Sequence, residues 1–251
     1  MDALKPPASL PEGPFRAVAF DLDGTLVDSA PDLSRAANGM LSALGQRVLS
    51  EERVAAAIGD GVDTLVVRTL TESTGAEPDE AALAKAGAIF RELYLRDVFH
   101  ASRVYPGVRE GLEALVRRGL PVGCITNKAR HFTMALLERA GLAPLLAFVE
   151  CADAPEQRKP APFLLLKVCG DLRIAPRELL YVGDSGVDVA AARAAGCPVV
   201  MVPYGYNRGR PASEGGADAV VASIADLAEV RAVFAADAPG PRGLPPQPAP
   251  G

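Results

Sequence analysis

FDLDGTLVDS, residues 20–29, closes a short apolar run, and the two together decide the fold. That run, FRAVAFDL over residues 15–22, is rich in Val, Ala and Phe and ends at a glycine-containing turn, which predicts a buried strand. In an extended segment Asp21 and Asp23 project to the same side, so two carboxylates meet at the end of a strand. Like charges this close need a cation or a shared proton, which predicts a divalent metal site or a proton-transfer pair.

This stretch has two other interpretations, and the spacing of its residues tests one of them. An isolated pair of acids is often only an Asx-rich turn, and the residues alone leave that alternative open. A calcium-binding loop needs glycine at its sixth position and glutamate at its twelfth. Counted from Asp21, those positions hold Leu26 and Asp32, so a calcium loop is set aside.

A second acidic turn, GDSGVDV over residues 183–189, also follows an apolar run and opens into a helical stretch. Ligand sites of open parallel sheets lie outside the C-terminal ends of the strands. Two acidic turns at equivalent strand ends would therefore converge on one cation. Asp184 would then be a second carboxylate ligand of the cation that Asp21 binds.

Strand-like and helical stretches alternate through most of the remaining chain. Strands are predicted for residues 15–22, 121–126, 179–183 and 198–202, and helices that stop at glycines for residues 108–118, 132–140 and 187–195. This alternation predicts an α/β protein with a doubly wound, parallel, Rossmann-like sheet.

The segment from residue 30 to residue 102 differs, because its apolar residues recur at helical spacing and no strand-like run intervenes. We expect a helical domain over residues 30–102, inserted into a core formed by residues 15–29 and 103–234. Residues 1–14 are then an N-terminal extension. The proline-rich residues 235–251 have no apolar face to bury, which predicts a disordered tail.

Two polar signals follow other predicted elements. Thr126 and Asn127 close a strand, and Lys159 precedes two prolines just before a helical stretch. A hydroxyl and a lysine could hold phosphoryl oxygens. Each alone is weak, since such a threonine is usually a turn former and such a lysine a solvated loop residue. The order of all four signals along the chain is stronger than any one of them.

Composition limits the classes of partner. The net charge is −5 and no block of Lys or Arg is present, so a nucleic-acid partner is not expected. The N-terminus lacks the basic start and apolar run of a signal peptide, and no apolar segment is long enough for a membrane, which predicts a soluble cytoplasmic protein. The four cysteines are widely separated, which favours buried apolar residues over a zinc site.

The four motifs together resemble the haloacid dehalogenase superfamily, whose motifs occur in this order on a doubly wound core with a cap after the first strand. The resemblance covers residues 15 to about 230. It implies that Asp21 is a nucleophile and Asp23 a general acid and base. It further implies roles for five other positions: Thr126 and Lys159 as phosphate ligands, Asn127 in substrate binding, Asp184 as a ligand of Mg²⁺ with Asp21 and the Asp23 carbonyl, and Asp188 as the acid that orients the metal's water shell.

Within the superfamily, an acid at Asp23 is typical of phosphoester hydrolysis. The cap turn at residues 58–70 and YGYN at residues 204–207 resemble bacterial phosphoglycolate phosphatases, which implies a small phosphorylated metabolite, 2-phosphoglycolate first, as substrate of a monomer or homodimer. Arg68 and the amides around Gly59 and Gly61 are then candidates for the substrate carboxylate.

Several alternatives remain open. Arg68 could instead pair with Glu72 four positions on, and the glycines could form a simple helix-joining turn. A phosphosugar phosphatase, a phosphosugar mutase and a binding module without catalysis also stay open as functions.

Overall fold

A six-stranded parallel sheet carries the acidic turns at the C-terminal ends of its strands. The computed structural model describes residue 13 and residues 15–229. The strands are β1 (Ala17–Phe20), β2 (Val27–Asp28), β3 (Arg103–Val104), β4 (Val122–Thr126), β5 (Phe148–Cys151), β6 (Leu179–Gly183), β7 (Val199–Met201) and β8 (Ala219–Val220). The helices are α1 (Ala30–Ala43), α2 (Glu51–Ala55), α3 (Val62–Thr74), α4 (Glu80–Arg96), α5 (Val108–Arg117), α6 (Arg130–Arg139), α7 (Phe163–Leu172), α8 (Gly186–Ala195) and α9 (Asp226–Glu229).

The strand order in the sheet is β5-β4-β1-β6-β7-β8. β1 lies between β4 and β6, and Phe20 is in register with Cys124 on one side and Val182 on the other. The chain runs outward from β1 to β5, then returns to the other side of β1 and runs outward again to β8. Ligands of doubly wound sheets bind where the strand order reverses in this way. The ends of β1, β4 and β6 therefore define the place for a site.

Both faces of the sheet are covered, as a doubly wound fold requires. Val18 and Phe20 pack in one apolar cluster with residues of α5 and α6, whereas Ala17 and Ala19 pack in a second cluster with residues of α7 and α8. The alternation follows from the two-residue period of a strand. The predicted α/β fold class is confirmed.

The predicted elements differ from the observed ones mainly at their ends. β1 stops at Phe20, two residues short of the predicted strand, because Asp21 and Leu22 already belong to the turn. The three helices predicted to stop at glycines end within two residues of Gly119, Gly141 and Gly196, each with a positive φ. β5 was not predicted, since Glu150 interrupts its apolar run.

Helices α1 to α4 lie between β2 and β3, where the sequence predicts a helical insertion. The chain leaves and returns through the antiparallel β2–β3 pair, in which Val27 faces Val104. Asp32 in the first turn of α1 fastens this connection, because its buried carboxylate accepts hydrogen bonds from the amides of Ala101 and Ser102 and from the Ser102 hydroxyl at 2.6–3.1 Å. Hereafter α1 to α4 and their connecting turns are called the cap.

Other predictions have mixed outcomes. The four cysteines are buried and unpaired. None of the helices that the structure describes is both long enough and apolar enough to cross a bilayer. The predicted disordered tail, residues 230–234 of the predicted core and, apart from Gly13, the predicted N-terminal extension lie outside the described residues.

Candidate active site

Carboxylates from the ends of β1 and β6 meet at the reversal point of the sheet. Asp21 directly follows β1, where its amide donates to the carbonyl of Val182 at 2.9 Å. Oxygens of Asp21, Asp184 and Asp188 all lie within 4.8 Å of one another, and all three residues are buried. The structure therefore brings together the two acidic turns that the sequence places at separate strand ends.

The turn after β1 can approach Asp184 only because residue 24 is glycine. Gly24 has φ +89°, and a Cβ there would lie 2.4 Å from Asp184 Oδ2. The next residue, Thr25, donates its hydroxyl to Asp184 Oδ1 at 3.0 Å, and the amide of Tyr206 donates to Oδ2 at 2.5 Å. Asp184 is thus held from two sides by groups of the β1 turn and of the loop after β7.

Asp21 and Asp184 carry buried negative charge that the protein compensates only in part. Burial raises the pKa of Asp21 to about 7, although the Lys159 ammonium opposes this change. Burial also raises the pKa of Asp184 well above its ordinary range, and the carboxylates of Asp188 and Asp21 raise it further. A missing positive charge among carboxylate oxygens is what a hard divalent cation such as Mg²⁺ would supply, so the residues present fit such an ion.

Lys159 is buried, with 4% of its surface exposed, so the alternative of a solvated loop residue is wrong. Its ammonium contacts Asp21 Oδ1 at 2.8 Å, Asp188 Oδ1 at 2.6 Å and the Tyr181 hydroxyl at 2.9 Å. An ammonium has three N–H donors, and here each has a partner. Lys159 therefore fixes the position of Asp21 as well as neutralising charge beside it.

Asp188 differs from Asp184, because its charge is already balanced. Burial alone would raise the pKa of Asp188, but the Lys159 ammonium and the hydrogen bonds from Ser185 together outweigh burial and lower it. Its other oxygen accepts bonds from the amide and the hydroxyl of Ser185, at 3.1 and 2.7 Å, at the start of α8. Asp188 is thus anchored in the first turn of that helix.

Thr126 ends β4 and Asn127 follows it, and both residues are buried. The Thr126 hydroxyl accepts from the amide of Lys128 at 3.2 Å and, among the described residues, donates to no partner, which leaves its proton for a ligand. Asn127 differs, since its two side-chain N–H groups donate to the carbonyls of Gly59 and Lys159 at 3.0 and 3.1 Å. Its side chain thus joins the β4 loop to the cap and to the Lys159 loop.

Lys128, a residue that the sequence analysis did not single out, lies against Asp23. Its ammonium contacts both carboxylate oxygens of Asp23, at 3.0 and 3.1 Å, and lies 4.8 Å above the ring of Tyr94 in the cap. The Ser29 hydroxyl donates to the same carboxylate at 2.5 Å. Its place directly after Thr126 and Asn127 was the one signal in the sequence that could have pointed to it.

A pocket of about 380 Å³, partly open to solvent, lies between these strand ends and the cap. Its walls are formed by Asp21, Asp23, Thr126, Asn127 and Lys128 of the core and by Leu33, Ile58, Gly59, Gly61, Val62 and Leu65 of the cap. The core side is polar and charged, and the cap side is apolar apart from its backbone.

Arg68 does not line this pocket. Its guanidinium pairs with Asp60 at 2.6 Å, whereas Glu72 pairs with Arg53, so the predicted alternative of an Arg68–Glu72 pair is wrong. Asp60 also contacts Arg208 of the core at 2.5 Å. The acid in the cap turn is therefore occupied by two arginines.

The chain matches the family of haloacid dehalogenase-like hydrolases over residues 15–196. It is 49% identical over 215 residues to the phosphoglycolate phosphatase of Thiobacillus denitrificans, which covers 86% of this chain and 95% of that protein. It is 46% identical over 211 residues to the phosphoglycolate phosphatase of Nitrosospira multiformis, and the match covers 84% of this chain and 93% of that protein. A crystal structure of a predicted phosphoglycolate phosphatase from Haemophilus somnus 129pt superposes with a TM-score of 0.83 at 32% identity, over 87% of this chain and 98% of that one.

Proposed function

The chain belongs to the haloacid dehalogenase-like hydrolases, and from that premise we propose that it is a Mg²⁺-dependent phosphatase of small phosphate monoesters, with 2-phosphoglycolate as the first candidate substrate. The observation that carries the proposal is the unequal setting of two neighbouring acids. Asp21 lies beside the uncompensated Asp184, whereas Asp23 is paired with Lys128 and Ser29. Two carboxylates in different environments are suited to different roles in one reaction.

In the first half-reaction, a carboxylate oxygen of Asp21 attacks the phosphorus atom and the bond from phosphorus to the ester oxygen breaks. Asp23 gives its proton to the leaving alkoxide, so that an alcohol departs. Thr126 has an unused hydroxyl proton at the strand end beside Asp21, which supports a role in holding a phosphoryl oxygen. Lys159 holds Asp21 in place and neutralises charge near the point of attack.

In the second half-reaction, Asp23 takes a proton from a water molecule, and that water attacks the phosphorus of the aspartyl phosphate. The bond between phosphorus and the Asp21 oxygen breaks, inorganic phosphate leaves and the carboxylate is restored. Asp23 thus returns to its protonated form for the next turnover. One acid serves both half-reactions because the leaving group and the water occupy the same side of the phosphoryl group.

Asp21, Asp184 and the backbone carbonyl of Asp23 are the groups that would hold Mg²⁺, and Asp188 lies beside them. When bound, the ion neutralises charge on the phosphoryl oxygens and reduces their repulsion from Asp21. The raised pKa values of Asp21 and Asp184 support this assignment, because buried acids of that kind gain most from an added positive charge.

The proposal is tested by measuring phosphate release from 2-phosphoglycolate by wild type and Asp21→Asn in the presence of Mg²⁺. Asparagine keeps the size of the side chain and removes the nucleophile, so turnover should fall to background. Asp171→Asn, an exposed acid on α7 paired with Lys167, is the matched control and should keep wild-type turnover. Undiminished activity of Asp21→Asn would overturn the mechanism.

A panel of 2-phosphoglycolate and several sugar phosphates, assayed in ¹⁸O-labelled water, separates the remaining functions. A phosphatase releases phosphate that carries the label, whereas a phosphosugar mutase moves the phosphoryl group without releasing labelled phosphate. A panel in which every ester stays intact would favour a binding module. Preference for 2-phosphoglycolate within the panel is the expected result.

A further inference from the structure

The substrate of the proposed function carries two anionic groups, whereas its core ligands account for only one. In the proposed mechanism the phosphate is held by the Thr126 hydroxyl, and Lys159 neutralises charge beside Asp21. The second anion, a carboxylate, needs its own donors, because a buried unpaired charge is costly. Among the described residues that line the pocket, the one with a positive charge is Lys128.

Lys128 lies where such a carboxylate would be. To protonate the ester oxygen, Asp23 must be within hydrogen-bond reach of it. The Lys128 ammonium lies 3.0 and 3.1 Å from the two Asp23 oxygens. Asp23 would therefore lie between the Lys128 ammonium and the ester oxygen, with one hydrogen bond on each side. In 2-phosphoglycolate a single methylene separates that oxygen from the carboxylate. A carboxylate one methylene away from the ester oxygen would therefore be within reach of the Lys128 ammonium.

The other side-chain donors near the pocket, apart from the Arg158 guanidinium, are committed elsewhere, and the backbone amides of Gly59 and Gly61 on the cap side are uncharged. The cap wall is formed by Leu33, Ile58, Val62 and Leu65, which have no side-chain donor. Arg68 is held by Asp60, and both side-chain N–H groups of Asn127 are already bonded. Arg158 lies near Gly61 but does not line the pocket; its Nη2 donates to Asp63 at 3.2 Å, and its buried Nε has no partner among the described residues, which makes it the nearest competing cation.

The Lys128 ammonium can serve two partners at once. It has three N–H donors, and the two oxygens of Asp23 lie on one side of it. The Tyr94 ring supports the charge from the cap, at 4.8 Å from the ring centroid. Its side chain is 2% exposed, so a bound carboxylate would meet it with little competition from water.

We propose that Lys128 binds the substrate carboxylate and thereby sets a preference for phosphate esters with an acid one carbon from the ester oxygen. This inference rests on the proposed function and names a residue for its selectivity. It differs from the sequence-based assignment of that role to Arg68 and to the amides around Gly59 and Gly61.

The test compares kcat/KM for 2-phosphoglycolate with kcat/KM for 2-hydroxyethyl phosphate, in which a neutral hydroxymethyl group replaces the carboxylate. In Lys128→Met the ratio of the two values should fall about 10- to 100-fold, as expected for loss of a charge-assisted hydrogen bond. Loss of the contact with Asp23 lowers both values by a common factor, which cancels in the ratio. Lys128→Arg keeps the charge and should retain most of the wild-type ratio.

Matched variants separate this role from general effects. Lys167→Met removes an exposed lysine of α7 and should leave both values unchanged. Thermal unfolding shows whether Lys128→Met is folded, and Lys128→Gln, which keeps a donor for Asp23, replaces it if it is not. Arg158→Met examines the nearest competing cation.

An unchanged ratio in Lys128→Met, or in Lys128→Gln where the methionine variant does not fold, would overturn the inference while the proposed function stands, because wild type would still hydrolyse 2-phosphoglycolate. The same holds if Arg158→Met lowers the ratio and the Lys128 variants do not. Wild type that hydrolyses neither ester would overturn the proposed function itself, and the inference with it. A ratio that falls in the Lys128 variants alone supports both.

Discussion

The two walls of the pocket are built on different principles. The core wall holds charged side chains at strand ends, and each is fixed by at least one ion pair or hydrogen bond, as Asp21 is by Lys159 and Asp23 is by Lys128. The cap wall consists of apolar side chains and the turn with Gly59 and Gly61. The chemistry of the reaction therefore depends on the core. The cap contributes shape and exclusion of water, and its contribution to charge recognition is small.

This contrast predicts that substitutions on the core wall change the chemical step and that substitutions in the cap or at its contacts change binding or stability. The expected effects are therefore largest for the acids at the strand ends and smallest for contacts of the cap. A large loss of kcat from a change in a cap contact would break the contrast.

The largest effect is expected at Asp23. Asp23→Asn keeps the size of the side chain and an acceptor for Ser29 but removes the acid, so kcat for 2-phosphoglycolate should fall by about 10³-fold. The loss should be much smaller with p-nitrophenyl phosphate, whose leaving group needs little protonation. Steady-state kinetics with both esters provide the measurement. Equal losses on the two esters would mean that Asp23 does not act as the proton donor.

The second effect concerns Asp184. Asp184→Asn removes a buried acid that has no lysine or arginine partner among the described residues, so activity at moderate Mg²⁺ should fall by about 10²-fold. Mg²⁺ should raise the unfolding temperature of wild type, because it binds the folded state, and should fail to raise that of the variant. Without Mg²⁺ the variant should be at least as stable as wild type, since a buried carboxylate with a raised pKa destabilises the fold at neutral pH. Differential scanning fluorimetry with and without Mg²⁺ decides this independently of turnover.

The third effect is one of stability and concerns the connection between core and cap. Burial pushes the pKa of Asp32 upward, but hydrogen bonds from Ser102 and Ala101, together with the Arg35 guanidinium, outweigh it, so the pKa lies below its ordinary value. Asp32→Asn should lower the free energy of unfolding by about 1–3 kcal/mol at neutral pH. A depressed pKa stabilises the fold above the pKa of the unfolded chain, and this contribution is lost as pH falls through the folded value. Urea unfolding should therefore show the two proteins converging at acid pH.

Glu113→Gln is the control for the Asp32 experiment. Glu113 forms an exposed pair with Arg117 on α5, so its replacement should change stability by less than about 1 kcal/mol. A constant difference between wild type and Asp32→Asn at all pH values would contradict the assignment of the effect to the Asp32 charge.

The same contrast explains what the sequence predicted. The strand-end residues of the candidate active site follow apolar runs, and parallel strands place such ends at one edge, so Asp21, Thr126 and Asp184 could be grouped without a structure. β5 was missed because Glu150 breaks its pattern. Contacts that involve the cap were harder to predict, because they depend on packing between segments far apart in the chain.

Two residues illustrate this limit. Arg68 and Glu72 have the spacing of a helical ion pair, but Asp60 and Arg53 take them as partners through tertiary contacts. A lysine in a loop is usually solvated, yet Lys128 is buried because Asp23 and Tyr94, which lie far from it in sequence, surround its ammonium. Local spacing carries no information on either arrangement.

The smallest effect is expected where the cap turn meets the core. Arg208 and Asp60 form an ion pair across this boundary, and both side chains are partly exposed, at 47% and 24%. Exposed pairs contribute about 0.2–1 kcal/mol, so Arg208→Ala should raise KM for 2-phosphoglycolate by at most about fivefold and leave kcat nearly unchanged. Because salt screens such pairs, about 0.5 M NaCl should raise KM more for wild type than for the variant.

Steady-state kinetics at low and high salt measure both changes, and Arg193→Ala, which removes an exposed pair with Asp218 far from the cap, is the control. A tenfold or larger fall in kcat for Arg208→Ala would mean that closing the cap organises the core wall itself, and the division between a chemical wall and a shaping wall would then be wrong.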